Sequence, residues 1–299
     1  MKKIIIVTGG AGFVGSNLIK KLIFKTKLNI VSLDDYSSGS KKNHIKNKRV
    51  KYINGNTKDI DKFFYKNKSN IDSLFHFGEF SRIYQSFLLM NKCIQSNSIG
   101  TNAVFDFCLK NKIKLIYSAT SASLGNKGED KNLSPYAFTK AKNLELLENL
   151  RKWFKFHYKV IFFYNVYGPG QITEGNMSTV LGIFEDHYLK KKPLPVVKPG
   201  TQSRRFTHID DTIDICIKAW KSTNIRFYSI SNKESYTILQ VAKLFNTDIK
   251  FMPARRGERY ASALSNLAFS NKIYRFYGKI SLKKYIENFL KKNSKNKIH

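Results

Sequence analysis

The sequence predicts an α/β protein with a doubly wound parallel sheet, the Rossmann arrangement, followed by a smaller C-terminal α/β region. In the first half of the chain, short apolar runs rich in β-branched residues alternate with helical patterns. These runs lack the strict polar alternation of a half-exposed sheet, so we expect helices to cover both faces. The first run also leads directly into a glycine-rich turn and a helix. Right-handed crossovers then give the doubly wound topology.

The patterns predict the following elements in chain order. We expect strands at residues 3–7, 29–33, 50–53, 74–77, 113–117 and 160–164, and helices at residues 15–24, 98–110 and 136–156. After Gly168, proline and glycine separate shorter elements, which is typical of a loop-rich region. Apolar residues then recur at helical spacing from Leu282 to Leu290 and predict a terminal amphipathic helix over residues 281–290.

The composition limits the possible functions. The chain has 299 residues and a formal net charge of +32, from 53 Lys+Arg against 21 Asp+Glu. The lysines are spread along the whole chain, which favours solvated faces over a dedicated nucleic-acid site, although the potential would attract anionic small molecules. No apolar stretch reaches the roughly 20 residues that span a membrane. The three cysteines are widely spaced, so we expect no disulfide framework, no metal site and a cytoplasmic location.

The glycine-rich turn after the first predicted strand has the spacing of a phosphate-binding loop. Residues 8–15 read TGGAGFVG, with glycines at positions 9, 12 and 15. The first glycine makes the turn, the second lets the backbone approach a pyrophosphate, and the third brings the helix close to the sheet. Asp34 follows Gly15 by 19 residues, where a carboxylate can hold the adenosine ribose hydroxyls and repel a 2′-phosphate. The sequence therefore predicts NAD rather than NADP.

A second motif places Tyr136 and Lys140 four residues apart, on one face of a predicted helix. A lysine ammonium beside a tyrosine hydroxyl favours the phenolate and brings a weak acid towards useful base strength. The pair follows a strand that leads into the hydroxyl-rich residues 118–125, SATSASLG. Open α/β sheets bind ligands at the carboxyl ends of their strands, so we expect the reaction there.

These motifs together resemble the extended short-chain dehydrogenase/reductase superfamily, in its nucleotide-sugar epimerase/dehydratase branch, which includes UDP-glucose 4-epimerase. The resemblance runs from residue 3 to about residue 290. Its further landmarks are DDYSSG at 34–39, FHFG at 75–78, NSIGT at 97–101, YNVYGP at 164–169, GTQSRRFTHIDD at 200–211 and RRGE at 255–258. We therefore expect a NAD-binding domain over residues 1–166, rejoined by segment 206–235, and a nucleotide-sugar-binding region over residues 167–299.

The resemblance implies a role for each matching position. Tyr136 would be the acid/base, Thr120 would hydrogen-bond the hydroxyl that is oxidised, and Lys140 would grip the nicotinamide ribose. Asn165, Arg204 and Arg255 would hold the diphosphate of the nucleotide sugar, which suits guanidinium groups. The implied cofactor-binding residues are Gly9, Gly12, Phe13, Val14, Gly15, Asp34, Asp35, Ser38, Gly39, Asn56, Thr57, Phe77, Gly78, Asn97, Ser118, Tyr136 and Lys140.

Several positions depart from the family pattern. Asn56-Thr57 replaces an Asp-Ile pair near adenine, Leu124 replaces Tyr, Phe162 replaces Arg and Arg205 replaces Asp. The unusual segment 79–82, EFSR, puts a carboxylate and an arginine beside the expected sugar pocket. We expect this segment to tune substrate choice, with Ser81 near the sugar. A surface ion pair between Glu79 and Arg82 is the alternative.

The reaction of this branch begins when the tyrosine takes a proton from a sugar hydroxyl, usually at C4, as hydride passes to NAD. A 4,6-dehydratase carries an Asp-Glu pair just after the active-site threonine, and a glucuronate decarboxylase carries Glu at the second of these positions. Residues 121 and 122 are here Ser and Ala, and the cysteine of a GDP-mannose 3,5-epimerase is missing. A 4-epimerase is therefore predicted, with a dehydratase or another sugar-modifying enzyme of the family as the alternative. A non-catalytic RNA-binding or scaffold protein of this fold would suit the charge, but it need not retain Thr120, Tyr136 and Lys140.

The resemblance also implies a homodimer, in which two helices of each subunit pack as a four-helix bundle. Here these would be the helices predicted at residues 98–110 and 136–156. Leu144, Leu147, Leu150 and Phe154 are candidates for the seam of the bundle, or they face the sheet instead.

Overall fold

The computed structural model describes residues 3–121, 130–257 and 273–295. The strands are β1 (Ile4–Thr8), β2 (Asn29–Asp34), β3 (Val50–Asn54), β4 (Ile71–His76), β5 (Lys114–Thr120), β6 (Tyr158–Phe163), β7 (Val166–Tyr167), β8 (Leu194–Val197), β9 (Ser203–Arg205), β10 (Thr207–His208), β11 (Phe227–Ser231), β12 (Ser235–Thr237), β13 (Ile249–Met252) and β14 (Ile273–Tyr277). The helices are α1 (Phe13–Lys25), α2 (Ile60–Phe64), α3 (Ile83–Leu88), α4 (Met90–Ile94), α5 (Thr101–Lys110), α6 (Pro135–Phe154), α7 (Val180–Leu189), α8 (Ile209–Lys221), α9 (Ile238–Lys243) and α10 (Leu282–Lys295). A π-helical turn, Gln95–Gly100, joins α4 to α5.

Eight of these strands form one sheet, in the order β14-β11-β6-β5-β4-β1-β2-β3. Its pairings are all parallel, which confirms the predicted doubly wound sheet. The strand order reverses between β1 and β4, and such a switch point opens a crevice at the carboxyl ends of the strands. The glycine-rich turn follows β1 at this crevice.

Two apolar layers cover the sheet, one on each face. Along β1, Ile6 enters a core cluster with Phe105 of α5 and Leu147 of α6. Its neighbours Ile5 and Val7 enter the opposite cluster, which is formed with α1 and α8. Side chains alternate between the two faces of a strand, so a strand covered on both faces is apolar throughout. This explains why β1 reads as an unbroken apolar run.

The structure contains elements that the sequence patterns did not predict. β11 and β14 extend the sheet beyond β6, although both lie in the half of the chain that was expected to be loop-rich. The helices α2, α3 and α4 have only five or six residues each, too few to show a helical period. The predicted helix at 98–110 begins inside the π-helical turn, and the terminal helix runs on to Lys295.

The C-terminal region has its own small core, in which Phe184 of α7, Phe245 and Leu282 of α10 are buried. The parallel pair β8·β13 and the antiparallel pair β9·β12 belong to this region. In contrast, α8 and β11 pack with the large sheet. The division of the chain at residue 166 stays a prediction.

Helix α6 turns its leucines towards the sheet. Leu144 and Leu147 are buried in the core cluster beside β5 and β6, and Leu150 packs against that cluster. Phe154 is exposed. Three of the four candidate seam residues therefore face the sheet.

Within the described part of the chain, no helix is long and apolar enough to cross a membrane.

Candidate functional site

A cavity of about 640 Å³ opens at the carboxyl ends of the central strands and extends to the C-terminal region. Most of the predicted site residues line it together, although they come from segments far apart in the sequence. They are Gly9, Gly12, Phe13, Val14, Gly15, Asp34, Asp35, Ser38, Thr57, Phe77, Gly78, Ser81, Ser118, Thr120, Tyr136, Lys140, Asn165, Arg204 and Arg255. The cavity therefore joins the predicted cofactor residues to the predicted substrate residues.

The glycine turn is packed so tightly that side chains are excluded. Gly9 has a φ of +71°, and a Cβ there would lie 2.8 Å from backbone atoms of Phe77 and Gly78. At Gly15, a Cβ would lie 2.1 Å from the Gly9 carbonyl oxygen. No side chain caps the start of α1, and its first turn holds no acidic residue. The first amides of the helix therefore have no capping side chain from the helix itself, which suits an anionic group in the cavity.

Asp34 ends β2 at the rim of the cavity and is held by the backbone. Its Oδ2 accepts from the Ala11 amide at 2.9 Å, and its Oδ1 accepts from the Tyr36 amide at 2.9 Å. Burial raises the pKa of this carboxyl, while the two amide hydrogen bonds oppose the rise. Each oxygen keeps a second lone pair, so the carboxylate can still accept from a ribose hydroxyl.

Tyr136 and Lys140 lie in the first turns of α6. Ser134 begins this helix, since its side chain accepts from the Ala137 amide at 3.1 Å, and Pro135 fixes the first turn. The Lys140 ammonium donates to the Ser118 carbonyl at 2.6 Å and so ties α6 to the end of β5. Thr120, the last residue of β5, lines the same cavity. Thr120, Tyr136 and Lys140 therefore line the same cavity, as the sequence motifs predict.

Glu79 does not form the surface pair with Arg82 that was the alternative prediction. Its side chain is only 2% exposed, and its Oε2 forms an ion pair with Lys140. Arg82 instead donates from Nε to the Met177 carbonyl at 2.9 Å and from Nη1 to the Ser81 carbonyl at 3.0 Å. Both side chains line the cavity, so segment 79–82 contributes directly to the site.

The predicted diphosphate-binding residues also line the cavity. Arg204 on β9 donates to the Ser203 carbonyl at 2.8 Å. Arg255 lies over the ring of Tyr84, 5.2 Å from its centroid. Asn165 donates to the Arg205 carbonyl at 2.9 Å. The guanidinium groups in the lining are suited to binding phosphate oxygens.

Residues 5–230, three quarters of the chain, match the NAD dependent epimerase/dehydratase family. The chain belongs to this family. Its cofactor is NAD, and its fold is the one that the sequence predicted.

The similar proteins include more than one enzyme of this family. A putative UDP-glucose 4-epimerase of Methanocaldococcus jannaschii is 25% identical over 273 residues, which are 86% of this chain and 88% of that protein. The structure of a UDP-glucose 4-epimerase from Thermotoga maritima with UDP-glucose is similar at a TM-score of 0.84 and 23% identity, covering 98% and 99% of the two chains. A dTDP-glucose 4,6-dehydratase from Streptomyces venezuelae also has a TM-score of 0.84, at 18% identity and 98% coverage of both chains. These structures share the fold.

The residues of the cavity fit NAD. The glycine cradle and the amides that begin α1 would hold the pyrophosphate, Asp34 would hold the adenosine ribose, and Lys140 would hold the nicotinamide ribose. In the described residues, no group of His, Cys, Asp and Glu side chains is placed to hold a metal ion.

Three predicted cofactor residues stand behind the lining of the cavity. A Cβ on Gly39 would lie 2.8 Å from Asp34 Oδ1, so this glycine lets the loop lie close to the carboxylate. Asn56 begins a 3-10 turn by accepting from the Lys58 amide. Asn97 is buried and accepts from the Phe80 amide at 2.7 Å, which fixes segment 79–82. Ala122 and Leu124, which bear on the reaction type, lie outside the described residues.

Proposed function

We propose that the chain is a NAD-dependent nucleotide-sugar 4-epimerase. One observation carries this proposal. Among the described residues that line the cavity, the carboxylates are Asp34, Asp35 and Glu79. The first two lie at the end of β2, where the adenosine is expected, and the third is paired with Lys140. The described lining therefore offers no carboxylate for the elimination of water, whereas epimerisation at C4 needs none.

In this reaction, the side chains of the chain bind the sugar hydroxyl and transfer its proton. Thr120 hydrogen-bonds the C4 hydroxyl of the sugar, and Tyr136 takes its proton as the bond to C4 hydrogen breaks. NAD, when bound, supplies the acceptor for that hydrogen as hydride and returns it later. The 4-keto sugar rotates in the cavity, and Tyr136 gives the proton back when the opposite face of C4 is reduced. The expected product has inverted configuration at C4.

Arginine side chains in the lining of the cavity support a nucleotide diphosphate as the other half of the substrate. The guanidinium groups of Arg204 and Arg255 match the geometry of phosphate oxygens, and the chain as a whole carries a formal net charge of +32. Holding the nucleotide by its phosphates leaves the sugar free to rotate between the two half-reactions. Ser81 and Arg82 line the part of the cavity near Tyr136 and would contact the sugar.

The proposal includes a homodimer in the cytoplasm. With its leucines turned to the sheet, α6 presents Phe138 and Trp153 outwards, 46% and 63% exposed. Large aromatic side chains on one outer face are typical of a protein interface. The three cysteines are all buried free thiols, which suits a reducing compartment. Light scattering that gives the mass of one chain, 34.6 kDa, would contradict the dimer.

The experiment is to incubate the protein with UDP-, dTDP-, GDP- and ADP-linked sugars and to identify the products by NMR. A sugar inverted at C4 is expected, and a 4-keto-6-deoxy product would replace this proposal with a dehydratase. Tyr136→Phe should abolish turnover and keep NAD binding. Tyr158→Phe is the matched control, because this buried tyrosine lies on β6 with its hydroxyl bonded to Glu148, away from the cavity. Full turnover by Tyr136→Phe would show that Tyr136 is not the acid/base of the reaction.

A further inference from the structure

The carboxylate of Glu79 is buried and surrounded by polar side chains. It lies just after β4, and four side chains surround its two oxygens. Lys140 forms an ion pair with Oε2. Oε1 accepts from Thr101 at 2.9 Å, from Tyr117 at 3.0 Å and from Asn143 at 3.3 Å. Both oxygens of the carboxylate therefore have side-chain donors in place of water.

Glu79 also ends a chain of hydrogen bonds that begins at the glycine turn. Thr8, the residue before Gly9, contacts His76 Nδ1 at 2.7 Å, and His76 Nε2 contacts the Thr101 hydroxyl at 3.0 Å. Thr101 has one hydroxyl hydrogen, and we assign it to Glu79 Oε1 at 2.9 Å rather than to the Ser96 carbonyl at 3.4 Å, because the carboxylate oxygen is nearer. His76 therefore carries its proton on Nε2 and donates it to Thr101, while Nδ1 accepts from Thr8. Four hydrogen bonds thus connect Thr8, at the end of β1, to Lys140.

The Lys140 ammonium depends on Glu79 for its charge balance. Lys140 is 4% exposed, and it also donates to the Ser118 carbonyl, which is neutral. Burial without a counter-ion disfavours the charged form of a lysine. The other titratable side chains near the pair are His76 of β4, Cys93 of α4, Tyr117 of β5 and Tyr136 of α6. Burial lowers the pKa of His76 and raises the pKa values of Cys93 and Tyr117, so these three side chains are not anions at neutral pH. Among the described residues, Glu79 is the carboxylate that forms an ion pair with Lys140.

We propose that Glu79 is a positioning residue, which keeps Lys140 charged and aims it at the site of the nicotinamide ribose. This inference rests on the proposed function only for its effect on turnover, because NAD binding can be measured without any sugar. It also explains why a carboxylate is present at a position next to the cofactor. Glu79 is held behind Lys140 by three donors and does not itself need to contact the sugar.

The experiment is to measure the affinity for NAD⁺ by calorimetry from pH 6 to pH 9, in the wild type and in Glu79→Gln. Glutamine keeps the size of the side chain and removes its charge. At pH 6 the variant should bind within a few-fold of the wild type. Towards pH 9 its affinity should fall by about tenfold or more relative to the wild type, because an unpaired buried ammonium gives up its proton at lower pH. Turnover should be lost over the same pH range.

A matched control is Glu185→Gln. Glu185 is also a buried carboxylate, and it is held by Gln171 and Tyr285 within the C-terminal region. This variant should show the wild-type pH dependence. Equal affinities of Glu79→Gln and the wild type at every pH would overturn the proposal, and so would a loss of affinity that is the same at every pH. If no nucleotide sugar is turned over by the wild type, the epimerase proposal fails while this titration still decides the role of Glu79.

Glu79→Gln alone could also fail to fold, because it leaves one charge buried. In that case the double variant Glu79→Gln/Lys140→Met provides the test, since it removes both charges. Replacing both partners of a buried pair is generally tolerated much better than replacing one. Recovery of cooperative thermal unfolding in the double variant supports the coupling of the two residues. A double variant that also remains unfolded overturns it.

Discussion

Acidification should destabilise the protein through His76. This side chain is completely buried, and burial lowers its pKa from 6.5 to about 4, with a smaller opposing effect of Glu79. The native state therefore keeps the imidazole neutral at a pH where the unfolded chain already binds a proton. The contribution is fully present above pH 6.5 and is lost as the pH falls to about 4. At 1.36 kcal/mol per pKa unit, the loss is about 3 kcal/mol.

The assay is urea unfolding without NAD at pH values from 7 to 4, comparing the wild type with His76→Asn. Asparagine can still donate to one threonine and accept from the other, but it does not titrate. The free energy of unfolding of the wild type should fall by about 3 kcal/mol more than that of the variant over this range. His187→Asn, on helix α7, controls for the general effect of losing an imidazole. Parallel curves for the wild type and His76→Asn would refute the argument, because His157 and His208, whose pKa values are also lowered, are present in both.

Four further variants test the cofactor-binding residues and the core. Gly15→Ala should abolish NAD binding in calorimetry, because its Cβ would lie 2.1 Å from the Gly9 oxygen; an alanine variant that binds normally would contradict the packing described for the turn. Asp34→Asn should weaken NAD⁺ binding about tenfold, since a hydrogen bond to a charged acceptor is lost. An unchanged Kd would mean that Asp34 does not bind the adenosine ribose. In chemical unfolding, Leu147→Ala should lower the free energy of unfolding by about 2–5 kcal/mol. Trp153→Ala should lower it by less than about 1 kcal/mol per chain at concentrations where the chain is monomeric. The reverse order would mean that α6 turns its other face to the sheet.

Local sequence patterns were sufficient to find the glycine turn and the carboxylate at the end of β2, which line the cavity. The glycines of the turn and Asp34 are fixed by chain geometry over a short stretch, so their spacing could be read directly. Most of the predicted strands were found because strands buried on both faces are continuous apolar runs, although the edge strand β3 has no buried residue. β11 was missed because its sequence, FYSIS, carries two serines that are nevertheless buried. Polar residues inside a buried strand remove the only local signal that it has.

The role of Glu79 could not be predicted for a different reason. Its nearest cation in the sequence is Arg82, whereas its partner Lys140 is 61 residues away. The two meet because β4 and β5 are parallel neighbours, with His76 opposite Tyr117, and α6 returns over the end of β5. The only available signal was that a carboxylate stood where the family pattern does not require one. The same applies to the leucines of α6, whose direction depends on the packing of the whole helix.

The way in which β11 and β14 complete the large sheet limits how this chain can be divided. A fragment that stopped at residue 166 would leave β6 as an unpaired edge, with its backbone amides and carbonyls open to any other extended chain. It would also lack α8, so Ile116 and Ile161 would lose their cover on that face. Such a fragment should aggregate on expression rather than bind the dinucleotide. Changes in substrate preference can therefore arise in the loops around the cavity, but not by exchanging the second half as a separate module.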